Sequence, residues 1–153
     1  MNQNVVVIGI GNSYRRDDGV GPAVAAELEK RKLSGVRILT MAGEPAEILD
    51  AWTGARRAVV VDAAMTAGSI PGRIRRWSPE EMKGTAAVVS SHALGLPQTY
   101  ALGEALGRLP DELTVFTVDA ADASDGVGLT PAVAVVVPEL VSLISAYLCD
   151  ERV

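Results

Sequence analysis

A chain of 153 residues has room for one compact domain, and 48% hydrophobic with 22% charged residues is the composition of a folded globule. This excludes a disordered chain, a long repeat array and a second catalytic domain. With 14 basic against 19 acidic residues the net charge is −5, the wrong sign for a surface that holds phosphate backbones, so nucleic acid is not an expected partner.

The β-branched run Val5–Ile8 is expected to be a strand buried on both faces of a parallel sheet. The loop Gly9-Ile10-Gly11-Asn12 follows. A helix then starts just after Asp18, with Pro22 in its first turn and Val20, Val24 and Leu28 on one face. Val36–Met41 is the second strand, and a helix spans about Pro45 to Trp52. The third strand, Ala58–Val61, is small or β-branched throughout and ends at Asp62. Thr66–Gly72 has the composition of a turn, and Arg73–Trp77 alternates as an antiparallel edge strand does. A helix over Leu96–Leu109 groups Leu102, Ala105, Leu106 and Leu109, and Leu113–Val118 is a further strand. Thr130-Pro131 is an N-cap and first-turn pair. Leu140, Val141, Ile144, Tyr147 and Leu148 mark an amphipathic last helix, which Pro138 should kink or split.

This alternation predicts a single-domain, three-layer α/β/α sandwich with a mostly parallel twisted sheet, of a phosphorylase- or hydrolase-like kind. Its functional crevice should lie beyond the carboxyl ends of the strands. The single cysteine, Cys149, makes no disulfide framework and no CxxC site, so a reducing cytoplasm is the expected setting and an apolar filler its expected role. No signal peptide is recognisable around Asn2–Asn4 and Val5–Ile8. The longest apolar stretch, Pro131–Val137, falls short of the roughly 20 residues a membrane helix needs. No membrane partner is expected.

Three residues stand where a crevice of this kind would collect them: Asp18 before the first helix, Asp62 at the end of the third strand, and His92, the only histidine. A carboxylate leaving the sheet at the border of the core is costly without a counter-charge. Two oxygens and one nitrogen suit a first-row divalent ion with positions left open for water or substrate. The alternatives are a strand-end Asp that caps a turn, Asp18 as a helix N-cap, and a histidine satisfied within the core. The glycines of Gly9-Ile10-Gly11 lack the third glycine of a dinucleotide loop, because Tyr14 stands there, and they are read as a tight backbone turn. No Walker loop, Gly-x-Ser-x-Gly elbow or His-Glu-x-x-His pair is present. Asp119, Asp122 and Asp125 are read as an acidic surface loop, and Arg15-Arg16 as a basic pair beside the acidic one. Glu44 either caps its helix or reaches the cleft.

Three ordered motifs carry a family resemblance. Val5–Ile8 with Gly9-Ile10-Gly11-Asn12-Ser13 and Asp17-Asp18-Gly19-Val20-Gly21-Pro22 is the first. Val59-Val60-Val61-Asp62-Ala63 with Pro71-Gly72 is the second, and His92 followed by Leu94, Leu96, Leu102 and Leu106 is the third. Together with Gly128-Leu129-Thr130-Pro131 they resemble the hydrogenase maturation endopeptidases along nearly the whole chain. The resemblance implies removal of a C-terminal extension from the large-subunit precursor of a nickel–iron hydrogenase after nickel insertion. It also implies that the metal is nickel carried by the substrate, contacted by Asp18, Asp62 and His92 as the catalytic and metal-binding set. Many relatives have Glu at the position of Asp18. Where several carry an Asp-Gly-Gly-Thr-like segment, this chain reads Ala42-Gly43-Glu44-Pro45. The expected state is a monomer. Two further readings stand beside the enzyme: a non-catalytic checkpoint that binds the nickel-loaded precursor, and a nucleotide-binding module, against which Tyr14 argues.

Overall fold

The computed structural model describes residues 4–83 and 95–149. Among these, five strands form one sheet in the order β2-β1-β3-β5-β4. They are β1 (Val5–Ile10), β2 (Val36–Met41), β3 (Arg57–Ala64), β4 (Ile74–Trp77) and β5 (Glu112–Asp119). The first three and β5 run parallel, and β4 pairs with β5 antiparallel at the edge. The helices are α1 (Val20–Lys30), α2 (Pro45–Trp52), α3 (Pro79–Lys83), α4 (Leu96–Leu106), α5 (Pro131–Ala134) and α6 (Val137–Cys149). The expected three-layer sandwich is the observed fold.

Strand alternation divides the core into two. Val5, Val7, Val59, Val61, Ala63, Phe116 and Val118 face α1 and α6, meeting Val24, Leu28, Leu140 and Ile144. The intervening residues Val6, Ile8, Ile10, Ala58, Val60, Leu113 and Val115 face α2, α3 and α4 through Ile48, Leu49, Trp52, Met82 and Leu96. Every residue of β1 and β3 is buried, as a central parallel strand covered on both sides must be.

Some helical details differ from the sequence reading. The α4 helix stops at Leu106 because Gly107 takes a left-handed conformation (φ 69°) and caps it. Its buried side is Leu96, Thr99 and Gly103, so Leu102 and Leu106 are exposed rather than packed together. The short α3 helix gave no periodic signal, being a single turn held by reciprocal hydrogen bonds between Ser78 and Glu81. At the C-terminal end the helix is split at residues 135–136, as Pro138 leads one to expect, whereas Cys149 is exposed rather than a core filler. The apolar run also continues past Pro138. By length and mean hydropathy (2.0) Pro131–Cys149 is comparable with a membrane span, a correction to the sequence reading, but its inner side is seated in the core through Val137, Leu140, Val141, Ile144 and Leu148.

Helix α1 approaches the sheet backbone-to-backbone. A Cβ on Gly21 would stand 2.3 Å from the Ile10 carbonyl oxygen and 2.7 Å from that of Val61. A Cβ on Gly9 would stand 2.4 Å from the Gly21 carbonyl oxygen. These contacts seat the N-terminus of α1 on the carboxyl ends of β1 and β3. Gly21→Ala should therefore lower stability by about 2–3 kcal/mol, the cost of overpacking against atoms that cannot yield. Gly68→Ala, with open space around the added methyl, should stay within about 0.5 kcal/mol of the parent. Urea denaturation midpoints at equal m-value check both.

Candidate active site

From β1 the chain passes to α1 on one face of the sheet, while α2, α3 and α4 cover the other. The crevice expected at such a switch point lies beyond the carboxyl ends of β1 and β3. Both acidic residues singled out from the sequence are there. Asp18 belongs to a 3-10 turn, Arg16–Gly19, that packs on β3 and leads into α1. Asp62 is in β3 itself, opposite Thr117 of β5, and alternation puts it on the face of Ile8, Ile10 and Val60. Strand β3 continues two residues past Asp62, to Ala64, because its ladder with β5 persists to Ala64–Asp119. Asp62 is thus an in-strand residue, not a strand-end cap. His92 lies outside the described residues.

The two carboxylates are only 2% and 3% exposed, so neither is a solvated surface charge. Asp18 Oδ2 accepts the Asn12 backbone N–H at 2.9 Å. Asp62 Oδ1 accepts the Ala63 N–H at 2.8 Å. Backbone amides thus fix one oxygen of each, and an ionised carboxylate so held acts as an acceptor for a cation or a proton. Asp18 is not the cap of α1; Gly19 takes that position. The glycines of the first loop serve this geometry. Gly11, at φ 151°, lies so close that a Cβ there would meet the Asp18 carbonyl oxygen at 1.9 Å.

Asp17 has a different task, which the sequence reading did not separate from that of Asp18. It is fully buried and accepts the backbone N–H groups of Ala121 (2.8 Å), Asp122 (3.1 Å) and Thr130 (2.7 Å). The Thr130 hydroxyl donates to it as well, at 2.8 Å to Oδ2. Thr130 does occupy the N-cap position of α5, with Pro131 following, but its hydroxyl is committed to Asp17 instead of capping the helix. Spacing along the chain carried no hint of a contact across 113 residues. Removing the carboxylate would strand three backbone donors, at about 1–3 kcal/mol for each that stays buried.

Other readings are corrected or narrowed. Asp119 is buried, not on a surface loop: it accepts the Ile70 N–H and the Arg73 Nε–H, each at 3.0 Å. Asp122 is partly exposed, and hydrogen bonds from the Ser124 hydroxyl and N–H hold its carboxyl below the usual carboxylate range. Arg15 and Arg16 join the same loop pair, Arg15 through the Ala123 carbonyl oxygen and Arg16 through Asp122 at 3.8 Å. Glu44 is exposed at the N-cap of α2 and makes no capping bond with its side chain.

A second concentration of charge sits at the opposite edge of the sheet. Tyr147 of α6 is stacked between the guanidinium groups of Arg57 and Arg76, 4.7 and 4.8 Å from its ring centre. Its hydroxyl donates to Glu112 Oε2 at 2.7 Å and accepts from Thr114 at 3.0 Å. A groove of about 560 Å³ beside it is lined by Arg76, Trp77, Glu81, Asp111 and Glu112. Glu112 begins β5, so this groove is at the amino-terminal edge, across the sheet from Asp62. The contacts of Tyr147 anchor α6 at this edge.

The fold is that of an α/β sandwich protein, with Asp18 and Asp62 both buried toward the carboxyl ends of β1 and β3. The chain belongs to the hydrogenase maturation protease family: the family model HycI, hydrogenase maturation protease, matches residues 22–147. This is a family of hydrolases acting on peptide bonds. The match begins at residue 22, after Asp18. Among individual proteins, the hydrogenase 2 maturation protease of Escherichia coli is 27% identical over 146 residues, covering 93% of this chain and 89% of that protein. The hydrogenase expression/formation protein HupD of Bradyrhizobium diazoefficiens is 28% identical over 137 residues, covering 86% of this chain and 71% of that protein. The fold is that of the E. coli hydrogenase maturating endopeptidase HybD, with TM-score 0.80 at 23% identity over 97% of this chain and 93% of that one. The [NiFe] hydrogenase maturation protease HybD of Thermococcus kodakarensis superposes with TM-score 0.75 at 26% identity, covering 94% and 97% of the two chains.

Burial raises the pKa of Tyr147 above the ordinary 10.0, with Glu112 adding to the shift. The unfolded chain therefore loses this proton first as pH rises. The stabilisation is complete below about pH 10 and is lost as pH climbs through the folded value. Tyr147→Phe should be less stable at neutral pH and should lack the Tyr147 share of the alkaline decline. Urea midpoints measured from pH 8 upward for both proteins check this.

Proposed function

We propose that the chain is an endopeptidase that removes the C-terminal extension of a nickel–iron hydrogenase large subunit once nickel has been inserted. The observation that carries this reading is the pair of nearly buried carboxylates, Asp18 and Asp62, at one edge of the sheet in a chain of the maturation protease family. Two carboxylate oxygens with a histidine nitrogen are a donor set that suits a first-row divalent ion. In this reading the ion is nickel delivered inside the precursor, so the metal is substrate cargo and the recognition element together. The relatives named for hydrogenase 2 maturation and for [NiFe] hydrogenase maturation support the same substrate class.

In this mechanism Asp18, Asp62 and His92 contact the ion, with the backbone bonds from Asn12 and Ala63 holding the two carboxylates in place. An ion at that point either polarises the scissile carbonyl or lowers the pKa of a bound water from 15.7 toward about 7. Both routes need the carboxylates ionised. A carboxylate can also take the proton from the attacking water, which contributes about 10²–10⁴-fold in such reactions. Since catalysis waits for cargo, the chain is expected to ignore proteins that carry no nickel.

The test is incubation of the purified chain with precursor, nickel-loaded or nickel-free, followed by the mass of the large subunit. Shortening of the loaded form alone is expected, with casein untouched. Asp18→Asn, Asp62→Asn and His92→Ala should each lower the rate by about 100-fold or more. Full processing by any one of them would remove that residue from the mechanism. Digestion of casein by clean protein would overturn the nickel-gated reading, and an unshortened precursor held in a stable complex would make the chain a checkpoint instead.

A further inference from the structure

We infer that Asp17 is a positioning residue: a buried carboxylate that never meets substrate but holds the carboxylate of Asp18 in the crevice. It deepens the reading above. Asp17 is 0% exposed, which removes it from direct contact with a substrate. Its side-chain bonds all go to the segment between β5 and α5: the N–H groups of Ala121, Asp122 and Thr130, and the Thr130 hydroxyl. The main chain reinforces the join. Asp17 N–H donates to the Asp122 carbonyl oxygen, Arg16 N–H to that of Gly126, and Gly126 N–H to that of Tyr14.

Two observations turn this anchor into a device for Asp18. The first is backbone strain. Arg16, immediately before the pair, has φ 45°, a region that a side chain as large as arginine enters at a cost and keeps only when its surroundings enforce it. The bonds that enforce it are those of Asp17 and of the main chain on either side. The second is sequence adjacency within one short turn. Asp17 and Asp18 are consecutive in Arg16–Gly19, so fixing the first sets the direction of the second, whose Oδ2 then meets Asn12 N–H. The two acids divide the work: Asp17 ties the turn to the 121–130 segment, while Asp18 is set against the Asn12 N–H of the first loop.

The bonds of Asp17 also fix the walls of a neighbouring groove of about 300 Å³. Ser13, Arg16 and Gly19 lie on one side of it, and Val127, Gly128 and Leu129 on the other. Thr130 follows Leu129 directly, so its bond to Asp17 holds the two walls at a set separation.

The experiment reads geometry and rate separately. Amide exchange by NMR in the free protein follows Asn12 N–H, the donor to Asp18, in wild type, Asp17→Asn, Thr130→Val and Thr130→Ser. Exchange at Asn12 should rise about tenfold or more in Asp17→Asn and, less, in Thr130→Val, with Val7 and Val60 unchanged, the signature of local rather than global opening. Thr130→Ser, which keeps the hydroxyl, should restore the wild-type rate. Processing of nickel-loaded precursor, at a temperature where every variant is folded by circular dichroism, should show kcat lowered about tenfold to 100-fold in Asp17→Asn with KM within about twofold. A merely structural role would lower the melting temperature and leave both the Asn12 exchange and kcat at wild-type values, and that result overturns the inference. If Asp17→Asn does not fold, the Thr130→Val and Thr130→Ser pair decides by the same two readouts. Should wild type itself fail to shorten the precursor, the proposed function falls while the Asn12 exchange still decides the role of Asp17.

Discussion

The architecture of this site begins with a contact that has no side chains in it. Gly9 and Gly21 bring the backbone of β1 against the backbone of α1, and the Gly21 Cα lies under the carbonyl oxygens of Ile10 and Val61. A residue with a side chain at either point would lift the helix away from the sheet. The turn that precedes α1 would rise with it, and Asp18 would leave the edge where Asp62 stands. Packing at van der Waals distance between main-chain atoms therefore sets the depth of the crevice, before any charged group is considered.

Electrostatics then works on that platform in a graded way. Asp17, Asp119, Asp18 and Asp62 are all nearly inaccessible to water, which is unusual for aspartate. Asp17 has backbone and hydroxyl donors, and Asp119 has two donors including Arg73, an arrangement that neutralises a buried anion within the fold. Asp18 and Asp62 are held by backbone amides at the crevice edge. Four buried carboxylates thus stand toward the carboxyl ends of the strands, each tied to the fold by at least one backbone donor.

Much of this was legible in the sequence because it depends on local chemistry. The strand β2 and the helix α2 fall where the hydrophobic pattern and Pro45 predict them, and the edge position of β4 follows from its short alternating run. The three-layer sandwich follows from the order of elements. What was not legible depends on long-range pairing. Nothing local tells β3 to run on to Ala64, because its partner is β5, about 55 residues later. The leucines of α4 look like an apolar face until Gly107 ends the helix and Thr99 and Gly103 prove to be the inward side. Asp17 and Asp18 are the same amino acid in adjacent positions, and only the 120–130 segment separates the anchor from the acid in the crevice. Position before the first helix brought Asp18 forward and the family resemblance strengthened it, while the hydrogen bonds show Asp17 committed to the 121–130 segment.

The loop ends carry a last consequence. Tyr14 and Val127 are each 73% exposed, on the two segments that Asp17 ties together below them. Because the tie is made by buried groups beneath these side chains, neither contributes to it. The tips behave as interchangeable fittings on a fixed mount. Substitution of either side chain should therefore leave the bonds of Asp17, and the spacing of the two segments, as they are.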